Sequence, residues 1–272
     1  YGDHRDLHLS LRRQRQMCIR DSAGNNITLN TTGNNFTGAV LVTSGNNVTL
    51  MDADALVLGT STISGGLSVT VALGDITGTG TLDVTGDASF TANASGADIV
   101  LDDASNRFGG AVAFASSGGL ADLTLVDTTA IELASVTLSG NLNVTASGAI
   151  TDSGNLAITG TTTLAAGSGN NITLNTAGNN FTGAVIITSG NDVTLVDTNA
   201  IVMGASTVSG TLSVTSTGTI TDNGGALAVT GTTTLAAGSG NNITLDTGSN
   251  DFTGAVIITT GNDVTLVDTN AI

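Results

Sequence analysis

From about residue 23 onward, apolar and small polar positions alternate in short runs. Ile172-Thr173-Leu174, Val193-Thr194-Leu195, Leu212-Ser213-Val214 and Leu227-Ala228-Val229 each put apolar side chains on one face and a hydroxyl or methyl on the other. Strict alternation over so few residues is the pattern of a half-buried strand. The branched Cβ of Val, Ile and Thr suits the pleated surface. No stretch sustains a helical period, so the pattern predicts an all-β chain. Turn residues punctuate it every 8–12 residues or so, as at Gly169-Asn170-Asn171, Gly190-Asn191-Asp192 and Asp222-Asn223-Gly224-Gly225. Gly and Asn supply the backbone conformations such corners need.

The runs recur. Asn170-Asn171-Ile172-Thr173-Leu174 returns as Asn241-Asn242-Ile243-Thr244-Leu245, 71 residues later. Phe36, Phe108, Phe181 and Phe252 form one column, at spacings of 72, 73 and 71. Asp52, Asp127, Asp197 and Asp268 form a second, at spacings of 75, 70 and 71. Short strands with frequent turns fit a sandwich, a barrel or a β-helix. Near-identical copies favour the β-helix, because only a solenoid gives equivalent residues equivalent neighbours. A 70–75-residue repeat divides into about three coils of roughly 24 residues, giving about ten coils in all. At ~4.8 Å per coil that is a rod of roughly 50 Å. The chain contains no Pro, as expected where each strand donates its N–H groups to the next coil. The expectation from the pattern is an all-β parallel β-helix.

Composition sharpens the division of the chain. Tyr1, His4, His8, Cys18 and five of the six Arg lie in residues 1–22, and there is no Lys anywhere. Met17-Cys18-Ile19-Arg20-Asp21-Ser22 resembles the translation of a sequencing-library adapter, so residues 1–22 are expected to be non-native or disordered. They carry no apolar stretch of the signal-peptide kind. Residues 23–272 form a single expected repeat domain, read as a fragment truncated at both ends. It holds 19 acidic residues against Arg107 alone. Such a surface repels nucleic acid and anionic membranes, and neither nucleic-acid binding nor membrane insertion is expected. The apolar residues are small and branched, as a thin stacked core allows.

Candidate chemistry is sparse. Residues 23–272 lack His, Lys, Cys and Tyr, so the clustered acids and bases of a glycan-cleaving β-helix are missing. Asp102 and Asp103 near Arg107 are the one place where acids and a base come together, and a turn explains them more cheaply. No catalytic residue and no cofactor is expected. Calcium has oxygen ligands available at Asp192, Asp197, Asp263 and Asp268. The Gly-Gly-x-Gly-x-Asp nonapeptide of calcium β-rolls is absent, however, and equivalent Asp residues lie about three coils apart, roughly 14 Å. Closure of turns on their own backbone is the expected role for these Asp side chains. Thr-Gly-Thr pairs at Thr77, Thr159, Thr217 and Thr230 fall at irregular spacings, unlike an ice-binding row. Corner Asn residues are expected to stack in hydrogen-bonded ladders.

The repeat vocabulary resembles that of large bacterial surface exoproteins, the filamentous-haemagglutinin-like adhesins and related β-strand-repeat proteins. The stretches that carry the resemblance are 179–185, 193–201, 206–215 and 227–235. It implies a right-handed β-helix shaft, secretion to the bacterial cell surface with an outer-membrane export partner, and a role in adhesion or biofilm formation. Contact with a host surface, an abiotic surface or a glycan would then fall to regions outside this sequence. A repeat face that binds glycan or calcium is the alternative, with a polysaccharide-active enzyme a distant third.

Overall fold

The computed structural model describes residues 17–20 and 24–270. The expectation for residues 1–22 falls mostly outside them. Met17–Arg20, however, forms a strand paired in parallel with the strand Val40–Ser44. All secondary structure among the described residues is β, and every paired strand is parallel to its neighbour one coil away. The chain is a parallel β-solenoid of about 11 turns, with about 21 residues per turn. The coil is thus shorter than the 24 residues that division by three suggests.

Two long sheets run the length of the rod, one of thirteen strands in line and one of twelve; three short strands branch from the first through the Leu120–Leu138 pairing and bring it to sixteen. A third row is built of very short strands and is interrupted. Its stacks are Ser61–Ile63, Leu82–Val84 and Arg107–Phe108; then Val136–Leu138, Leu156–Ile158 and Asn180–Phe181; then Ser206–Val208, Leu227–Val229 and Asp251–Phe252. Between stacks the chain makes a coil with no third-row strand.

The interruption has a counting consequence. From Ile172 to Ala236 one repeat contributes seven strands to the long sheets: 172–174, 184–189, 193–197, 201–203, 212–216, 220–222 and 233–236. They alternate between two sheets, and seven is odd. The next copy therefore begins on the other sheet. Ile172–Leu174 lies in the twelve-stranded sheet and its copy Ile243–Leu245 in the sixteen-stranded one; Thr162–Ala165 and Thr233–Ala236 exchange places the opposite way. The short row changes flank as well. Leu82–Val84 follows the sixteen-stranded sheet and precedes the twelve-stranded one, whereas Leu156–Ile158 does the reverse.

In-register stacking builds the core. Ile150, Ile172, Val193, Leu212, Thr233 and Val256 occupy one inward column on successive coils, and Leu174, Leu195, Val214, Leu235 and Ile258 the next. Each fully buried Val, Leu or Ile removes apolar surface from water, a gain of about 1.5–3 kcal/mol. Phe108, Phe181 and Phe252 are buried at the last strand of each short stack. There the ring fills width that the following coil no longer covers. Copy two adds Phe90, stacked on Phe114 at 5.9 Å between centroids and edge-on to Phe108 at 6.1 Å.

Two core positions are mismatched. Thr162 and Thr233 point inward between Leu or Val neighbours, and their buried Oγ1 atoms have no hydrogen-bond partner. A buried hydroxyl without a partner costs about 1–3 kcal/mol, and Val has nearly the same shape. Thr162→Val and Thr233→Val should each stabilise the chain by about 1 kcal/mol, read as a higher denaturant midpoint. A lower midpoint for both would show that the hydroxyls are satisfied.

Candidate functional site: the caps of the interrupted row

In a parallel stack each strand hands its outward-pointing N–H groups to the next coil, and a buried N–H without an acceptor is costly. The last strand of each short stack has no strand above it. Its Phe N–H is received instead by a carboxylate. Asp127 Oδ2 accepts from Phe108 N at 3.2 Å, Asp197 Oδ2 from Phe181 N at 3.2 Å, and Asp268 Oδ1 from Phe252 N at 3.1 Å. Asp52 Oδ2 does the same for Phe36 N at 3.0 Å. The second oxygen turns back on its own chain: Asp52 Oδ1 accepts from Asp54 N, Asp127 Oδ1 from Thr129 N, and Asp197 Oδ1 from Asn199 N at 2.8 Å. Own-backbone closure is therefore half of the role of these residues; the other half links two coils.

A buried amide completes the cap. Asn106, Asn179 and Asn250 stand two residues before the Phe in each copy and are fully buried. Their Oδ1 atoms accept from Leu82 N, Leu156 N and Leu227 N one coil below, at 2.8–2.9 Å. Asn179 Nδ2 donates to Asp152 Oδ2 and Asn250 Nδ2 to Asp222 Oδ2. Their own carbonyls accept from Thr128 N, Thr198 N and Thr269 N, the residue after each capping Asp. In the sequence Gly178-Asn179-Asn180 reads as a turn, and nothing local sets Asn106 or Asn250 apart. The recurrent Asn-x-Phe triplet is the signal that marks them out.

The start of a short stack needs a different cap. Val42 N and Ile187 N lie where a long strand below gives way to a corner above. Each donates to a buried serine hydroxyl, Ser61 Oγ or Ser206 Oγ, at 3.0 Å. Each serine hydroxyl in turn donates to Gly59 O or Gly204 O at 2.9 Å. In copy two, Val136 occupies this place and the preceding turn, 115–119, is longer. A cleft of about 300 Å³, lined by Phe114, Leu120, Ser135 and Val136 among others, opens beside it. No titratable group lines it.

Several further acids work in corner ladders. Asp75 Oδ1 accepts from Asp98 N, Asp98 Oδ1 from Asp122 N, Asp122 Oδ1 from Asn141 N, and Asn141 Oδ1 from Thr161 N. Asn171, Asp192 and Thr211 continue the scheme in copy three. These are the expected corner ladders, with Asp taking part beside Asn.

The calcium candidates separate by role. Asp192 is partly exposed, and its carboxylate is held below the usual carboxylate range by the N–H and hydroxyl of Thr211. Asp197 is buried and committed to Phe181 and Asn199. Asp263 receives the Asn262 side-chain amide, and Asp268 caps Phe252. Among the described residues no three His, Cys, Asp or Glu side chains converge on a point that could hold a metal ion. Asp103 accepts from Ser105 N and the Thr81 hydroxyl, whereas Arg107 pairs with Asp83 at 3.2 Å, on the strand one coil below. Arg107 is thus paired away from Asp102 and Asp103, with an acid of the neighbouring coil.

Burial pushes the carboxyls of Asp52, Asp127 and Asp197 up from their ordinary 3.8, against the lowering effect of the amides they accept. The protonated form is favoured more in the folded chain than in the unfolded one. This contribution is full below the unfolded value and fades as pH rises through the raised folded value. Asp192 acts in the opposite sense, weakly, because water reaches and screens its carboxylate. Relief of self-repulsion among 19 acids acts with the buried three.

In-register parallel coils carrying the same Asp–Phe cap in every copy define a repeat β-solenoid. Residues 20–43, 45–115, 120–188 and 190–259 match a family described as repeats of unknown function (DUF5649), and the chain belongs to that family. The boundaries of the match fall at the turns around 44, 115–120 and 189, beside the corner where each new short stack begins. No curated protein and no solved structure matches the chain.

Two outcomes follow from the caps. Asp197→Ala strands the buried Phe181 N–H and should cost about 2 kcal/mol, while Asp197→Asn, which keeps one acceptor, should cost less. Denaturant titration reads both, and equal small losses would remove the capping role. The midpoint of the unaltered chain should rise as pH falls from 7 towards 4, and a fall would contradict the sign argued from the buried carboxyls.

Proposed function

We propose that this segment is a structural shaft: a stiff, acidic rod that holds other parts of a secreted bacterial surface adhesin at a distance from the cell. The observation that carries the reading is that almost every side chain with chemistry to offer is spent on holding coil to coil. The buried Asp and Asn residues accept backbone N–H groups, the corner Asp and Asn residues form ladders, and Arg107 binds Asp83. No Asp in these networks is left clustered for a reaction or an ion. A repeat that advances by about 21 residues per coil lengthens the rod by ~4.8 Å each time, so copy number sets reach. The high negative charge keeps neighbouring rods apart. Secretion, the export partner and the adhesive or biofilm role come from the resemblance of the repeats to exoprotein repeats, and they form part of this proposal.

The competing reading is a binding module that uses the repeat face for glycan or calcium. The two differ in how affinity responds to length. Small-angle scattering with and without calcium, and glycan-array binding of chains carrying two, three and four repeats, separate them. A shaft gives a rod of roughly 50 Å for about 11 turns, unchanged by calcium, with no binding that scales with coil number. Calcium-dependent folding, or affinity that grows with each added repeat, would replace the shaft with the binding module.

A further inference from the structure

We infer that Asn223 is a self-modifying site: its side-chain amide converts spontaneously to an isoaspartate linkage, and the conversion loosens the anchor that Asp222 gives to the coil above. Asn223-Gly224 is the single Asn-Gly step in the chain. It falls where copy three departs from the other copies. Thr79-Gly80-Thr81-Leu82 in copy one and Ser153-Gly154-Asn155-Leu156 in copy two turn this corner with one residue fewer than Asn223-Gly224-Gly225-Ala226-Leu227. Thr79 N, Ser153 N and Asn223 N correspond, each donating to the coil below, at Leu58 O, Leu133 O and Met203 O. Gly80, Gly154 and Gly225 also correspond, because a Cβ on each would strike the backbone of Thr60, Ser135 or Ala205. Gly224 is therefore the inserted residue. It stands clear of the rod: a Cβ there would meet nothing within 4 Å, and its φ is +86°.

The insertion leaves both reacting groups open. Asn223 and Gly224 are exposed. Among the described residues neither the Asn223 side chain nor the Gly224 N–H enters a hydrogen bond. Glycine has no Cβ to shield its nitrogen or to restrict the turn. Other corner amides are held. Asn46, Asn191 and Asn262 donate to Asn26, Asn171 and Asn242 one coil below, and each is followed by Asn or Asp rather than Gly. The reaction needs only water. The Gly224 nitrogen gives its proton to hydroxide and attacks Asn223 Cγ. The N–Cγ bond forms, the Cγ–Nδ2 bond breaks, and ammonia leaves with a proton taken from water. Water then opens the cyclic imide. Opening at Cγ leaves Asp; opening at the main-chain carbonyl routes the backbone through Cγ and lengthens it by one carbon. The neighbouring residue makes this matter. Asp222 Oδ2 accepts from Thr247 N at 3.2 Å and from Asn250 Nδ2 at 2.8 Å. Asn250 is the buried amide whose Oδ1 receives Leu227 N. A longer backbone and a new carboxylate beside Asp222 shift that anchor.

The test incubates the full chain in mildly alkaline buffer and follows every Asn by peptide mass, with isoaspartate identified by a protein-isoaspartate methyltransferase. Asn223 should convert about tenfold faster than any other described Asn, a barrier lower by the equivalent of one decade in rate. Asn223→Ser, the residue copy two uses here, should remove the isoaspartate signal. Conversion led by a different Asn would overturn the site, as would an Asn223 that converts in the urea-unfolded chain and is protected in the folded one. In the converted chain, amide exchange at Thr247 and Leu227 should quicken roughly tenfold through local opening. Asn223→Asp, which adds the charge without lengthening the backbone, should quicken it less. Exchange left unchanged by conversion would overturn the loosening.

Discussion

A row of parallel strands cannot simply stop. Each strand leaves N–H and C=O groups pointing at the coil above, and in a buried row those groups must be received. In this solenoid the two long sheets continue from coil to coil, but the short third row ends within each repeat. The Asp–Phe contact is what permits the ending. One carboxylate supplies two acceptors, one for the Phe N–H below and one for its own turn, and the Phe ring fills the space the missing strand would occupy. The carboxylate gives up hydration to do so, and its raised proton affinity records that cost. A serine hydroxyl, Ser61 or Ser206, handles the matching problem where the row begins in copies one and three.

The rest of the architecture follows from these two caps. One coil per repeat lacks its short strand, so a repeat contributes an odd number of long-sheet strands, and successive copies fall on opposite sheets. A central Thr such as Thr173 faces outward from one sheet and its copy Thr244 from the other. Both broad faces thus carry the same kind of hydroxyl-bearing surface, to which copy two adds outward acids at Asp98 and Glu132. Copy two shows how far the scheme bends. It replaces the corner serine with Val136, lengthens the turn before it, and fills the interior with Phe90 and Phe114. The result is a looser corner with a cleft beside it.

The parts of this that a sequence reveals are those whose causes are local. Alternation of Ile, Thr and Leu marks strands, Gly and Asn mark corners, and recurrence marks a solenoid. Both the Phe and the Asp columns are visible as columns. Their partnership is not, because Phe181 and Asp197 are 16 residues apart in the chain and meet only when coils stack. Arg107 shows the same limit. It sits close to Asp102 and Asp103 in sequence but faces Asp83, 24 residues earlier, directly below it. Coil length was also beyond the repeat period alone, since the coil without a third-row strand shortens the average turn. Thr162 and Thr233 read as outward strand residues by type, yet the register turns them inward.

The central claim is that a carboxylate holds the last N–H of each interrupted row. Backbone amide exchange at Phe108, Phe181 and Phe252, followed by NMR, measures it directly. The account predicts that Phe108 and Phe181 exchange as slowly as core amides such as Leu195, and that Asp127→Ala and Asp197→Ala each release only the Phe they cap. Fast exchange at these amides in the unaltered chain, or protection that survives loss of the Asp, would contradict it.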